Sequence, residues 1–232
     1  MPPKPAFITV DGQARDLAET NPTQLDAWRA ACLAALPSGK KYQVVYADPP
    51  WSYRDNGRVE GKPTYPTMSL DDLKTLPVRG MCAPTAVLFM WATNPLLPQA
   101  LEVIRAWGFE YKTVFKVWLK RSVANDAPLC GVGWWSRPST ELVLVATRGS
   151  GYMKWKRTHS EPQEFASRRS TKHSQKPPEI RDSIADFFDV QHRIELFARD
   201  TDPRFDAWGL EVPGYFAAAA AAAAQGAERI TL

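Results

Sequence analysis

Val44-Val45-Tyr46-Ala47-Asp48-Pro49-Pro50-Trp51 is the stretch on which the fold turns. The residues before Asp48 are apolar and β-prone, so Gln43–Ala47 reads as a buried strand. A carboxylate, two prolines and a large aromatic then arrive in succession. Each proline lacks an N–H and fixes its own φ, and a residue that precedes proline is pushed to extended geometry. Asp48 and Pro49 are therefore expected to leave the strand stiff and extended. The Asp48 carboxylate and the Pro49 carbonyl then stand side by side as two acceptors. In open α/β sheets, ligands bind at the carboxyl ends of strands, where this motif falls.

Two acceptors without a donor suit an amine that carries two hydrogens. An amine attached to an aromatic base, such as N6 of adenine, is a poor nucleophile because its lone pair is delocalised into the ring. Hydrogen bonds from both N–H groups to Asp48 and Pro49 favour a tetrahedral nitrogen whose lone pair can attack an electrophilic methyl. Trp51 offers a stacking face, worth about 1–3 kcal/mol per base. The competing reading is an ordinary turn after a strand, with a core tryptophan.

Upstream, Pro22–Leu36 places Leu25, Trp28, Cys32 and Leu36 at helical spacing and ends at Pro37-Ser38-Gly39. Residues 1–20 before it read as a loose leader. Residues 52–67 have glycines, prolines and charges but no apolar period, the pattern of a long functional loop. Ser69 can cap a helix whose first turn holds Asp71 and Asp72. Thr85–Trp91 reads as an apolar strand, Pro95–Trp107 as an amphipathic helix ending at Gly108, and Tyr111–Leu119 and Glu141–Thr147 as strands. A helix over Pro177–Phe188 and short strands over Arg193–Ala198 and Asp206–Val212 follow. Strands alternating with helices, several apolar throughout, indicate one α/β sheet covered on both faces. Gly131–Gly133 is a lone Gly-x-Gly without strand-to-helix context and is rejected as a nucleotide loop. Ala217–Ala224 has helix propensity but no amphipathic pattern, and no role is assigned to it.

Composition narrows the class. Apolar residues make up 44% of the 232, which is ordinary for a globular protein with one substantial core. No apolar run approaches the ~20 residues that span a bilayer. The opening Met1-Pro2-Pro3-Lys4-Pro5 lacks the layout of a signal peptide, so no membrane association and a cytoplasmic location are expected. Cys32, Cys82 and Cys130 are odd in number and far apart, which argues against a disulfide framework or a zinc knuckle and for buried thiols. A net charge of +4 leans towards a polyanionic partner.

Taken together, Asp48-Pro49-Pro50-Trp51 resembles the catalytic motif of the MT-A70 family of S-adenosylmethionine-dependent adenine-N6 methyltransferases. Further landmarks agree in order: Tyr65-Pro66-Thr67-Met68-Ser69, Leu88-Phe89-Met90-Trp91-Ala92-Thr93-Asn94, Trp134-Trp135-Ser136-Arg137 through Thr140-Glu141, His173-Ser174-Gln175-Lys176-Pro177, and Glu195-Leu196-Phe197-Ala198-Arg199. The resemblance covers about residues 42–212. It implies a single-domain class I, Rossmann-like α/β fold in permuted order, with the catalytic motif before the cofactor strand Ile194–Ala198. Residues 1–40 are then a leader and helix, 41–215 the methyltransferase domain and 216–232 an alanine-rich tail.

The resemblance also implies roles. Asp48, Pro49, Pro50 and Trp51 form the catalytic set, and Tyr65, Trp91 and Asn94 line the base pocket, with a core position the alternative for Trp91. Lys176, just before a helix, holds the carboxylate of S-adenosylmethionine with help from the helix dipole. Asp48, Glu195, Leu196, Phe197, Arg199, Thr201 and Asp202 complete the cofactor set, Asp202 accepting from the ribose hydroxyls. No metal is required. Glu141 either anchors Arg137 or a cofactor amine, or sits at the sheet edge. Leu210 stands where the family often has asparagine in Trp-Gly-Asn-Glu, and Asp200-Thr201-Asp202 differs from the eukaryotic Pro-His-Asn, so one cofactor contact is missing or moved.

The segment Arg148–His173 contains seven Lys and Arg residues, and Tyr152, Trp155 and Phe165 interleave with them. Lys154, Lys156, Arg157, Arg168 and Arg169 are the expected nucleic-acid contacts, against the reading of a solvated loop. DNA methylation, RNA methylation and a catalytically silent nucleic-acid-binding subunit stay open, with DNA preferred because no RNA-binding domain is apparent. The oligomeric state is also open, a homodimer included.

Overall fold

In the computed structural model, residues 7–10, 13–16, 39–52, 67–133, 135–157, 162–169, 174–209 and 212 are described. Their strands are β1 (Phe7–Val10), β2 (Gln13–Asp16), β3 (Tyr42–Ala47), β4 (Cys82–Ala92), β5 (Glu110–Arg121), β6 (Thr140–Arg148), β7 (Glu164–Arg168), β8 (Arg193–Leu196) and β9 (Asp206–Trp208). The last seven form one sheet of order β7-β5-β6-β4-β3-β8-β9. β3 lies parallel to both β4 and β8, with Ala47 level with Met90 and with Leu196. β6 runs antiparallel between β4 and β5, and β7 lies parallel to β5. Asp48-Pro49-Pro50-Trp51 therefore leaves a strand that is paired on both sides, and the late strand β8 is its direct neighbour.

Period-two alternation divides the core. Val45, Ala47, Leu88, Met90 and Ala92 face one layer, where Leu73 of α1 (Leu70–Thr75) packs with Ala100, Val103 and Ile104 of α3 (Leu97–Ala106). Val44, Tyr46, Val87, Phe89 and Trp91 face the other, against Ile180, Ile184 and Phe187 of α4 (Pro178–Phe187). The expectation of a sheet covered on both faces holds. Ser69 caps α1 as expected, accepting from the Asp72 N–H at 3.1 Å, and the short α2 (Val78–Met81) leads into β4.

Several boundaries move. The helix expected from Pro95 begins as a 3-10 turn over Asn94–Leu96 before α3. The last strand stops at Trp208, short of Val212. Just after it, a Cβ at Gly209 would lie 2.0 Å from the Ala198 carbonyl oxygen, so only glycine lets the two chains pass this closely. The leader is not structureless, since β1 pairs antiparallel with β2 as a separate hairpin. Cys82 is buried but Cys130 is exposed, so buried thiols describe only one of these two. The helix expected over residues 22–36, most of the loop 52–67, Cys32, Tyr65, Trp134, His173, Leu210 and the alanine run lie outside the described residues. Among the described residues no helix is long and apolar enough to cross a membrane.

Candidate active site

β3, β4 and β8 end together, and the chain continuing from β3 is held there by its own backbone. The Asp48 N–H donates to the Leu196 carbonyl at 3.4 Å, and the Met68 N–H donates to the Pro50 carbonyl at 2.9 Å. The Pro49 carbonyl accepts the Trp51 N–H at 2.9 Å, which leaves its second lone pair available. Trp51 differs from its expected role. Its ring is only 7% exposed, and its indole N–H donates to the Trp91 carbonyl at 3.3 Å. Here Trp51 ties the loop to the end of β4, with its stacking face largely covered.

The Asp48 carboxylate meets Lys176, whose ammonium donates to Oδ2 at 2.8 Å. The same ammonium lies 3.4 Å from Oε2 of Glu141, and Oε1 of Glu141 accepts from Lys120 at 2.5 Å. Asp48, Lys176, Glu141 and Lys120 thus form a row of alternating charge drawn from four separate elements or loops. The side chains are 25%, 12%, 13% and 24% exposed, so water screens them poorly. Burial pushes the Asp48 carboxyl above its ordinary range, and the Lys176 ammonium opposes that shift. Glu141 is held below its ordinary range by Lys176 and Lys120 despite its burial.

Trp91 forms the floor beneath this row and not a base-pocket wall. It is 1% exposed, its indole N–H donates to the Tyr46 hydroxyl at 2.6 Å, and the Lys176 ammonium sits 5.4 Å above its ring. An inward position follows from alternation, since Trp91 shares the α4 face of β4 with Val87 and Phe89. Asn94 is exposed just past β4 and donates to the Thr140 hydroxyl at 3.1 Å, so it stays at the rim. A cavity of about 190 Å³ borders Lys176, lined also by Trp118, Arg168 and the start of α4.

The late segment divides in two. Phe197 leaves β8 with φ +63°, the left-handed region, and packs edge-on against Trp208. Arg199 is close enough for its charge to favour ionised Asp48. Glu195, Leu196 and Asp202 are engaged elsewhere. Leu196 is buried on the α3 face, while Glu195 turns towards α4 and accepts from Arg181 at 3.0 Å. Burial outweighs that pairing and pushes Glu195 up to about 7. Asp202 accepts from the Arg204 backbone at 2.8 Å and from its guanidinium at 2.7 Å, which holds it down to about 2. With its side chain 8% exposed, Asp202 closes a local turn and does not present a free ribose acceptor. Thr201 is exposed beside it.

The basic run is also divided. Arg157 donates its backbone N–H to the Phe187 carbonyl and Lys156 bridges Phe188, both at the end of α4. Lys154 lies in the 3-10 turn Tyr152–Trp155, just after β6 ends beside Ala86. These three cations therefore sit at the amino end of β4, about 20 Å from the site at 3.3 Å per residue. β7 carries the chain back, and Arg168 stands level with Arg121 at the carboxyl end, followed by Arg169. Sequence reasoning missed Lys120 and Arg181. A signal for Lys120 was present: Lys116, Trp118 and Lys120 alternate along β5, and Lys116 is buried on the α4 face, so this side of β5 had to find partners for cations.

A family model described as MT-A70 matches residues 42–211. The chain is 34% identical to the Type II methyltransferase M.MunI of Mycoplasma sp over 193 residues, covering 75% of this chain and 79% of that protein. It is 27% identical to the human N(6)-adenosine-methyltransferase catalytic subunit METTL3, covering 75% of this chain but 29% of that one. The N6-methyladenosine RNA methyltransferase MTA1 of Pyricularia oryzae is 28% identical, with 76% of this chain and 48% of that protein covered.

Proposed function

The chain is a methyltransferase of the MT-A70 family, and on that premise we propose that it transfers the methyl group of S-adenosylmethionine to the N6 amine of adenine in DNA. One observation carries the chemistry: Asp48 is anchored by main chain at the end of β3, with its carboxylate directed to the Lys176 ammonium. An acceptor fixed in this way, beside the open lone pair of the Pro49 carbonyl, can take both hydrogens of an incoming amine. Preference for DNA rests on the match to M.MunI, a Type II methyltransferase spanned over most of its length.

The residues here fit S-adenosylmethionine. Lys176, immediately before α4, is a cation for the carboxylate of its methionine part, and the start of α4 adds the favourable end of a helix dipole. Arg199 and Thr201 follow the end of β8, where Phe197 turns the main chain out of the ladder. When bound, this cofactor supplies an electrophilic methyl group. Asp48 and Pro49 orient the amine and localise its lone pair, and the buried surroundings keep competing water away from both acceptors. Trp51, Pro50 and Trp91 hold that geometry from beneath, while Asn94 contributes at the rim. An adenine in a duplex must leave the stack to reach Asp48, since its amine is otherwise paired.

The test is to incubate the protein with labelled S-adenosylmethionine and adenine-containing DNA or RNA, single- and double-stranded. N6-methyladenine in DNA is the expected product. Label on RNA alone would select the RNA reading, which the human and fungal relatives favour. No label on any substrate would leave a silent binding subunit.

A further inference from the structure

The loop between β5 and β6 stands at the same end of the sheet as Asp48 and ends in fully exposed apolar side chains. Val132 and Trp135 have essentially their entire surface in water, and Val123, earlier in the same loop, is half exposed. Exposed apolar surface grouped at one tip marks a contact site more often than a single stray residue does. The loop is held up by its own hydrogen bonds. Leu129 N–H donates to the Lys120 carbonyl at 2.8 Å, Lys120 N–H to Ser139 at 2.9 Å, and Gly131 N–H to Pro138 at 2.8 Å. Gly133 permits the tight tip, because a Cβ there would lie 2.1 Å from the Ser136 carbonyl oxygen.

Its surroundings are cationic. Arg121, Arg137, Arg168 and Arg169 stand on or beside the loop, and Asp126 is the only carboxylate in residues 121–137. Asp126 is itself bound by Arg168 at 3.2 Å, and its backbone carbonyl by Arg121 at 3.1 Å. An apolar tip with arginines along the loop and at its base complements a nucleic-acid duplex: phosphates meet the cations while the ring enters between base steps. Trp135 is six steps of chain from Glu141, at most about 20 Å, so the tip stays within reach of the Asp48 row.

We propose that Trp135 is a wedge that enters the duplex beside the target adenine and fills the space the base vacates when it turns out towards Asp48. This proposal rests on the DNA-adenine reading above and assigns the loop its part in duplex recognition.

The experiment compares methyl transfer from labelled S-adenosylmethionine to one plasmid DNA, either native or heat-denatured, by wild type, Trp135→Ala and Trp135→Phe. Removing one stacked ring should lower transfer to native DNA about tenfold more than transfer to denatured strands. Trp135→Phe should recover most of that difference. Equal losses on the two forms, or no loss on either, overturn the wedge. Sedimentation of the same proteins tests the rival occupant. A wild-type dimer that Trp135→Ala dissociates would make the tip an interface between copies of this chain. Wild type active only on denatured DNA would sink the wedge and leave the methylation reading standing. Wild type inactive on both forms would sink that reading as well.

Discussion

At the carboxyl end of the sheet, Lys176 and Lys120 alternate with Asp48 and Glu141, and all four side chains are at least three-quarters covered. At the amino end, Arg157 meets Asp189 at 2.7 Å with both side chains more than half in water. The two ends draw on the same residue types, yet their electrostatics differ in kind. Poor screening makes each charge in the first set depend on its neighbours, so the row acts as one unit. Solvent makes the second set nearly independent. A run of basic residues in sequence thus says little about function until the fold decides which end of a strand each one reaches.

The largest effect is expected at Asp48. Asp48→Asn keeps the shape but removes the charge and one acceptor. Methyl transfer should fall about a hundredfold to a thousandfold, the usual cost of losing one preorganised polar partner. Circular dichroism should be unchanged. A variant that turns over normally would detach Asp48 from the chemistry.

Lys176→Met tests whether the row is one unit. It leaves Asp48 and Glu141 facing each other with a buried cation gone, which should destabilise the fold by about 3 kcal/mol in urea titration. Asp48 already lies above its ordinary range and loses the group that opposes this shift, so it should rise further. Asp48 must be ionised to accept from the amine, and activity is lost as pH falls through its pKa. The acid limb of the pH–rate profile should therefore move to higher pH. A profile that keeps its position would mean Lys176 does not act on Asp48.

A smaller effect separates the ends directly. Arg168→Gln with Arg169→Gln should weaken DNA binding and lower the salt slope by about 2, one unit for each phosphate no longer neutralised. Lys154→Gln, Lys156→Gln and Arg157→Gln together should change the slope by less than about 1. The reverse ranking would show that DNA follows the amino end. The smallest expected change is Arg157→Ala, which removes one exposed pair and should cost less than about 1 kcal/mol in thermal unfolding.

Much of the frame was legible because its signals are local. β3, β4, β6, α3 and α4 are each announced by apolar runs or periods, and alternation alone assigns Val45 and Tyr46 to opposite faces. β7 was not legible. Glu164–Arg168 has only Phe165 and Ala166 as apolar residues, and an edge strand of this kind is defined by its partner, β5. The β1–β2 hairpin was missed although Asp11-Gly12 between its strands is a strong two-residue turn signal. At the site, Asp48 meets Lys176 across 128 residues of sequence, a pairing that no local signal announces. What sequence reading left open was the direction of each side chain. Trp51 and Trp91 proved to be supports, and Asp202 a turn closure, because burial and nearer partners decided their orientation.

The hydrogen bond from the Asp48 N–H to the Leu196 carbonyl also sets an order of events during synthesis. β3 is flanked by β8, so Val44 finds its neighbour Arg193 only after 149 intervening steps of chain. Loop-closure entropy makes pairings of this range form late. On the ribosome, the early strand must wait with one edge bare until residue 196 has been made. The Asp48–Trp51 segment, although made well before β8, is thus completed only once β8 has joined it.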